Sequence, residues 1–114
     1  VREVPHDWLF PKVDIVIHHG GAGTCAAALR AGRPSIIIPF FGDQPFWAKR
    51  LHGLGVAPRP IKPAKLDAAM LARRIKTVLE TPAYRKNAEH LASKIAAEDG
   101  IANAIAEITR ASKQ

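Results

Sequence analysis

Short apolar runs in the first half of the chain predict strands, and the mixed runs between them predict helices. Two β-branched runs, at residues 13–18 and 34–40, are typical of buried strands. Residues 24–31 are rich in alanine and stop at a glycine, which favours a short helix with that glycine at its C-terminal cap. Residues 41–55 indicate a loop and a second helix, and residues 56–58 a third, minimal strand.

The second half of the chain has a different pattern, in which apolar residues recur every three or four positions. Residues 58–65 are rich in proline and predict an extended surface connector. We expect three helices after it: the first capped by Asp67, the second starting at Pro82 after Thr81, and the third starting near Gly100. The buried stripes expected on them are Leu71, Ile75, Val78 and Leu79; Tyr84, Ala88, Leu91 and Ile95; and Ile101, Ile105 and Ile108.

The order strand–helix–strand–helix–strand with short connections predicts an α/β fold, with a parallel Rossmann-like sheet, flanking helices and a C-terminal helical segment. The 114 residues fit one domain, residues 1–114. In such sheets ligands bind beyond the carboxyl ends of the strands. Residues 18–24 and 40–44 follow the first two strands, so we expect them to share one edge of the sheet.

Composition narrows the class of partner. The chain is 47% apolar and 24% charged, as globular domains are, and no apolar run reaches the roughly 20 residues of a membrane-spanning helix. Its lone cysteine excludes an internal disulfide and favours a reducing, cytoplasmic setting. The net charge of +7 indicates an anionic partner. Because the cations form no dense tract, nucleic acid is a weak candidate, which leaves a phosphorylated small molecule or an acidic membrane surface.

Three glycines in four positions follow the first strand. A sharp turn from a strand into a helix exposes backbone N–H groups at the positive end of the helix dipole. Gly20, Gly21 and Gly23 remove the side chains that would keep an anion from those donors, and Thr24 adds a hydroxyl at the cap. The pattern predicts a phosphate cradle. The alternative is a tight turn that binds nothing.

Two histidines come directly before these glycines. His18 and His19 are neighbours on a strand and point to opposite faces, so they cannot bind one metal ion together, and no metal site is predicted. One of them can hydrogen-bond an anion at the strand end, while the other packs or meets solvent. We expect Cys25 to be a small core residue rather than a nucleophile, because no histidine–acid pair stands beside it.

A dinucleotide site is the rival interpretation. The segment GAGTCA fits the fingerprint G-x-G-x-x-A, and Asp43 lies 20 residues after Gly23, where a ribose-binding acid is expected. Against it, Asp43 is followed by Gln-Pro-Phe-Trp, which indicates the start of a helix rather than the end of a strand. A Walker loop is excluded because no lysine follows the glycines.

The segment HHGGAGT…RAGRPSIIIPFFGDQPFWAKRLHGLGVAP, with VPHDWLFPKV upstream, resembles the donor-binding part of UDP-dependent glycosyltransferases. These have two Rossmann-like domains (the GT-B type), and the sterol glucosyltransferase branch is the most similar. The resemblance covers about residues 4–60, and the helical tail 66–112 fits less specifically. It implies inverting transfer of a hexose, with glucose expected, from a UDP-sugar to a hydroxyl of a lipid-like or polyketide acceptor, without any further cofactor.

The resemblance also sorts the residues at the two strand ends into three sets: those that bind the phosphates, those that bind the sugar, and those at the rim of the site. A carboxylate that accepts from hydroxyls and an amide that both donates and accepts suit a sugar. The three sets are His19, Gly20, Gly21, Gly23 and Thr24 for the phosphates; Asp43 and Gln44 for the sugar; and Trp47 and His6 for the rim.

One departure from the family's pattern and one absence limit what the chain is expected to do alone. The glutamate that binds the ribose in many relatives is replaced by Ala27, so the ribose must be recognised elsewhere. The general base in this family, typically a histidine, comes from a separate N-terminal acceptor domain. We therefore expect no catalytic residue here, and a chain that is either a fragment or the partner subunit of a split glycosyltransferase.

The resemblance and the charge also indicate the partners of such a chain and its location in the cell. Its partners are the UDP-sugar, the acceptor domain as part of the same protein or as a separate chain, and a hydrophobic acceptor. Two or three parallel strands with uncovered edges bury little apolar surface, which predicts marginal stability or self-association. Its basic charge is compatible with a cytoplasmic protein that sits peripherally at a membrane surface.

Overall fold

The computed structural model describes residues 9–112, without the side chains of Pro11 and of residues 100–112. In this part of the chain two short strands, β1 (Val16–His18) and β2 (Ser35–Ile37), pair in parallel. Four helices follow the chain order as α1 (Ala22–Ala31), α2 (Gln44–Gly53), α3 (Ala68–Glu80) and α4 (Pro82–Ser112), with 3-10 turns at Phe10–Lys12 and Pro63–Lys65. The predicted α/β class with a parallel sheet and flanking helices is confirmed.

Helices cover both faces of the sheet because β2 is apolar on both. Ile37 packs with Cys25, Ala48 and Leu51 on the side of α1 and α2, whereas Ile36 and Ile38 pack with Val78 on the side of α3. Ile36 and Ile37 are 1% and 2% exposed. Burying an isoleucine side chain stabilises the fold by roughly 1.5–3 kcal/mol. Because β2 buries such side chains on both faces, it is the centre of the core.

The connection from β1 through α1 to β2 is short and ends where the sequence predicts. Gly32 caps α1 with φ +70, and its N–H bonds back to the carbonyls of Ala28 and Leu29. A Cβ at Gly32 would lie 3.3 Å from the Cβ of Ala92. The glycine therefore also lets α4 pack closely against the end of α1.

The third strand predicted at residues 56–58 is wrong, although this segment does lie along β2. Ser35 donates its N–H to the carbonyl of Val56 (2.9 Å), and Ile61 donates to the carbonyl of Ile37 (3.0 Å). Pro58 and Pro60 lie between these two points and have no N–H to donate. The outer edge of β2 is thus covered by an irregular segment rather than by a strand.

The C-terminal helices differ from the prediction in two respects. Asp67 caps α3 as expected, with its carboxylate accepting from the Met70 N–H at 2.7 Å, but Leu79 is 60% exposed and does not belong to the buried stripe. The predicted break near Gly100 is wrong, because α4 continues through it to Ser112. A single glycine costs a helix only about 1 kcal/mol relative to alanine, and no proline interrupts this segment. The side chains of Ile101, Ile105 and Ile108 lie outside the described residues.

Candidate functional site

The two polar clusters predicted from the sequence meet at one edge of the sheet. His18 at the end of β1 pairs with Ile37 at the end of β2, so the turns that follow both strands leave the sheet side by side. Between them lies a cleft of about 600 Å³. Its lining includes Leu9, Phe10, Val16, Ile17, His18, His19, Gly21, Thr24, Ile38 and Gln44.

His18 is held inside the fold. Its Nδ1 accepts the N–H of Gly20 at 3.0 Å, so the ring proton is on Nε2, which lies 3.0 Å from the hydroxyl of Ser35 and donates to it. Ser35 is fully buried. His18 is therefore the histidine that packs, a choice that the sequence left open, and it fixes the turn by holding Gly20.

His19 faces the cleft. Its Nδ1 lies 3.2 Å from the carbonyl oxygen of Ile38, which can only accept, so Nδ1 carries a proton and donates it. The ring also meets Phe40 edge-on, with the centroids 4.7 Å apart and the planes at 82°. These two contacts orient the imidazole and leave Nε2 as the nitrogen that is available to a ligand.

Gly20 has a narrower role than the sequence predicts. Its φ is +91, and a Cβ would lie 2.9 Å from Cγ2 of Ile37 and 3.0 Å from the carbonyl oxygen of Gln44. Its N–H is already bound to His18, and the residue is buried. Gly20 thus shapes the turn and brings it against α2, but it does not supply a donor to the predicted cradle.

Gly21, Gly23 and Thr24 form the open part of the cradle. Gly21 is the N-cap of α1, and no side chain caps this helix. A Cβ added at Gly21 or Gly23 would meet nothing within 4 Å, so the space above these amides is clear. Thr24 is the third residue of α1 rather than its cap, because the helix begins at Ala22. The helix start therefore presents backbone donors and a hydroxyl to the cleft, which is the arrangement that binds anions.

Cys25 lies directly below this helix start and is 1% exposed. Burial, and secondarily the negative charge of Asp43, raise the pKa of its thiol from 9.0 to about 11. A thiol with such a pKa stays protonated near neutral pH and is a poor nucleophile. The prediction that Cys25 is a core residue is confirmed.

Asp43 stands at the other side of the site, at the N-terminus of α2. Its Oδ2 accepts a hydrogen bond from the indole Nε1 of Trp47 at 3.2 Å. The Trp47 ring packs against the core residues around Leu51 and also meets Phe46 edge-on. Trp47 therefore holds the carboxylate, a role that the sequence analysis missed; the spacing of four residues on a helix was the available signal.

The side-chain oxygen of Gln44 is already hydrogen-bonded within its own loop. Its Oε1 accepts the backbone N–H groups of Phe40 (2.8 Å) and Phe41 (3.2 Å), which closes the turn after β2. The side-chain NH₂ group remains for a ligand, so Gln44 can donate to it but its carbonyl oxygen is occupied. This corrects the expectation that the amide both donates and accepts.

The cleft has the anion donors of α1 on one side and the amide of Gln44 on the other, and the carboxylate of Asp43 belongs to the residue just before Gln44. His6, predicted at the rim, lies outside the described residues. Within residues 9–112 no group of three histidine, cysteine or acidic side chains is placed to hold a metal ion. Over the same residues no helix is long and apolar enough to cross a bilayer.

Comparison with known proteins agrees with this geometry. The family described as erythromycin biosynthesis protein CIII-like, C-terminal domain, matches residues 1–110. A sterol 3-beta-glucosyltransferase of Arabidopsis thaliana is 49% identical over 102 residues, which are 90% of this chain and 16% of that protein. An O-mycaminosyltylonolide 6-deoxyallosyltransferase of Streptomyces fradiae is 42% identical over 91% of this chain and 25% of its own length.

Solved glycosyltransferase structures share the fold. The glycosyltransferase of kitacinnamycin superposes with a TM-score of 0.79 at 29% identity, over 95% of this chain and 28% of that chain. The glycosyltransferase VinC, solved in complex with dTDP, superposes with a TM-score of 0.75 at 29% identity, over 82% of this chain and 23% of its own. The chain thus spans a quarter or less of the curated relatives named above.

Proposed function

Because the chain belongs to the family of erythromycin biosynthesis protein CIII-like C-terminal domains, we propose that it is the donor-binding portion of a glycosyltransferase. It would hold a UDP-sugar, with glucose as the expected hexose, while the acceptor and the general base are supplied by an N-terminal acceptor domain or by a separate chain. The names of the sterol glucosyltransferase relatives support glucose and a hydrophobic acceptor.

One observation carries this proposal: the start of α1 and Gln44 line a single cleft, and Asp43 directly precedes Gln44 in the chain. A nucleotide-sugar needs both surfaces, since its diphosphate is anionic and its hexose is a ring of hydroxyls. We place the diphosphate against Nε2 of His19 and the backbone of Gly21, Gly23 and Thr24. The hexose hydroxyls would donate to Asp43 and accept from the NH₂ group of Gln44.

The proposed site has a direct part in the transfer reaction. The acceptor oxygen attacks the anomeric carbon, the bond from that carbon to the phosphate oxygen breaks, and the electron pair leaves with the UDP. Negative charge therefore develops on the leaving phosphate, where the amides of α1 lie ready to stabilise it. The acceptor proton passes to the base outside this chain, so the chain binds and activates the donor and contributes no proton acceptor.

The contact with Ile38 decides which nitrogen of His19 meets the donor. Since Nδ1 already donates to that carbonyl, Nε2 is the nitrogen that remains for a phosphate oxygen.

A dinucleotide module is the competing function, and one feature of the fold disfavours it. A ribose-binding acid of the dinucleotide fingerprint follows the end of a strand, where it faces the ribose next to the glycine turn. Asp43 is instead the N-cap of α2, six residues beyond Ile37, the last residue of β2, and its carboxylate is held by Trp47. At this position the Asp43 carboxylate suits a part of the ligand that lies further from the glycine turn than the ribose of a dinucleotide would.

Calorimetric titration of the whole chain with UDP-glucose tests the proposal. We expect His19→Ala and Asp43→Ala each to weaken binding by roughly tenfold or more, since each removes a hydrogen bond to a charged group. Loss of His19 should weaken UDP and UDP-glucose alike, whereas loss of Asp43 should weaken only UDP-glucose. Competition with dTDP-glucose and with NAD shows which nucleotide the site prefers.

His52→Ala is the matched control. His52 lies on α2 and also directs its Nδ1 to a backbone carbonyl, that of Ala57 at 3.0 Å, but it does not line the cleft. Its loss should leave donor binding unchanged. Equal affinity of the His19→Ala, Asp43→Ala and unmodified chains for UDP-glucose would refute the proposal, and tighter binding of NAD than of UDP-glucose would favour the dinucleotide module.

A further inference from the structure

The exposed side of α2 and the proline-rich connector after it form a continuous surface away from the donor cleft. We call it the basic face and define it by Phe46, Lys49, Arg50, Arg59 and Lys62. Two open cavities lie along it, of about 410 Å³ beside Phe46 and Arg50 and about 510 Å³ beside Arg59 and Lys62. Lys49 lines both cavities, so they belong to one surface.

The charge of this surface is of one sign. Residues 44–66 contain Lys49, Arg50, Arg59, Lys62 and Lys65 and neither aspartate nor glutamate. The ion pairs found among the described residues lie elsewhere: Arg85 bonds Glu89 at 2.9 Å and Asp14 at 3.5 Å, and Lys76 pairs with Glu80. None of these ion pairs among the described residues involves a cation of the basic face.

Apolar groups accompany these charges. Phe46 is 62% exposed and stands on α2 one turn before Lys49 and Arg50. The larger cavity is lined by the rings of four prolines, Pro39, Pro45, Pro60 and Pro63. At the surface of a membrane, an exposed aromatic ring beside lysine and arginine can enter the headgroup region while the cations stay above it.

We propose that the basic face docks onto an anionic membrane surface. A small anionic ligand fits less well, because the cations surround open cavities instead of converging on one point, and no buried polar group among the lining residues is directed into them. The surface begins at Phe46, two residues after Gln44, and follows α2, whose ten residues span about 15 Å. Docking would therefore bring the Asp43–Gln44 side of the cleft close to the bilayer.

Sedimentation of the whole chain with lipid vesicles tests this inference. We expect binding to phosphatidylcholine vesicles that contain phosphatidylserine, and little binding to pure phosphatidylcholine. Raising the salt from about 0.1 M to about 1 M should release the chain, since the screening length falls from about 10 Å to about 3 Å. Reversal of two charges, Lys49→Glu with Arg50→Glu, should lower the partition coefficient by roughly tenfold or more. Phe46→Ser should lower it by several-fold.

Lys86→Glu with Lys94→Glu is the control, since it makes the same change of net charge at two exposed positions on α4. This pair should keep most of the binding. An equal loss for both pairs would show that only net charge acts and would overturn the proposal. Equal binding to neutral and anionic vesicles would also overturn it. So would a lack of binding to both kinds, which is the result expected if this face contacts another protein. Circular dichroism of each variant verifies its fold, and UDP-glucose binding should not change, so the test is independent of the donor site.

Discussion

The ends of the two strands build the site by different means. After β1 the chain turns into α1 and presents backbone amides at Gly21, Gly23 and Thr24, with open space above the two glycines. After β2 it presents side chains, and both are already held: Asp43 by the indole of Trp47, and Gln44 by the amides of Phe40 and Phe41. One strand end offers main-chain donors, and the other offers preoriented side chains.

This difference assigns the two ends to different tasks. Only a proline removes a main-chain donor, whereas any added side chain can cover it, so the phosphate side should depend on the absence of side chains. The sugar side should depend on which side chains are present and on what holds them. The two strand ends interact electrostatically, because the charge of Asp43 contributes to the raised pKa of the Cys25 thiol under α1.

The largest expected effect separates the glycine that builds the turn, Gly20, from the glycines at the open start of α1. Gly20→Ala should lower the free energy of unfolding by about 3 kcal/mol, because it forces an alanine into a left-handed conformation and against two neighbours. Those neighbours, Ile37 and Gln44, lie 2.9 Å and 3.0 Å from the added Cβ. Urea unfolding followed by circular dichroism measures the change.

Gly21→Ala is the companion variant for this test. Gly21 has φ −63, which alanine adopts without strain, and its Cβ would have free space. The unfolding midpoint of Gly21→Ala should stay close to that of the unmodified chain. If both variants unfold at the same urea concentration, Gly20 has no special role in the turn.

The sequence predicted the elements near the site because local chemistry decides them. The β-branched runs, Gly32 and Asp67 act within a few residues, and each was found in its predicted role, although the strands, Val16–His18 and Ser35–Ile37, are shorter than the runs. The roles of His18 and His19 depend on which partner lies across the strand pair, Ser35 or the Ile38 carbonyl, and neither partner is visible in local spacing. The occupied oxygen of Gln44 could not be predicted for the same reason.

The errors have a common cause as well. The strand expected at residues 56–58 and the helix break expected near Gly100 were both inferred from local composition alone. In the first case two prolines remove the donors that a ladder needs. In the second the helix continues because one glycine is a small cost over 31 residues.

Trp47→Phe tests whether the sugar side is preoriented. The substitution keeps an aromatic ring against the core and removes the N–H that bonds Asp43 at 3.2 Å. We expect UDP-glucose to bind roughly three- to tenfold more weakly, the cost of about one hydrogen bond, while binding of UDP stays the same. Phe46→Leu, at the exposed neighbouring ring, should change neither. Equal weakening of both nucleotides in Trp47→Phe would show damage to the cleft as a whole.

The smallest effect is also the sharpest, because stability and binding should change in opposite directions. Gly23→Ala lies in the first turn of α1, where alanine is favoured over glycine by about 0.5–1 kcal/mol, so the variant should be slightly more stable. Its methyl group would enter the open space above the amides, and binding of both UDP and UDP-glucose should fall several-fold. Gly53→Ala is the matched control, since Gly53 has nothing within 4 Å of its added Cβ and is the last residue of α2, at the opposite end of that helix from Gln44. It should not weaken binding. A Gly23→Ala chain that binds both nucleotides as well as the unmodified chain would mean that the diphosphate does not rest on the start of α1, and that the backbone donors of this strand end serve another ligand.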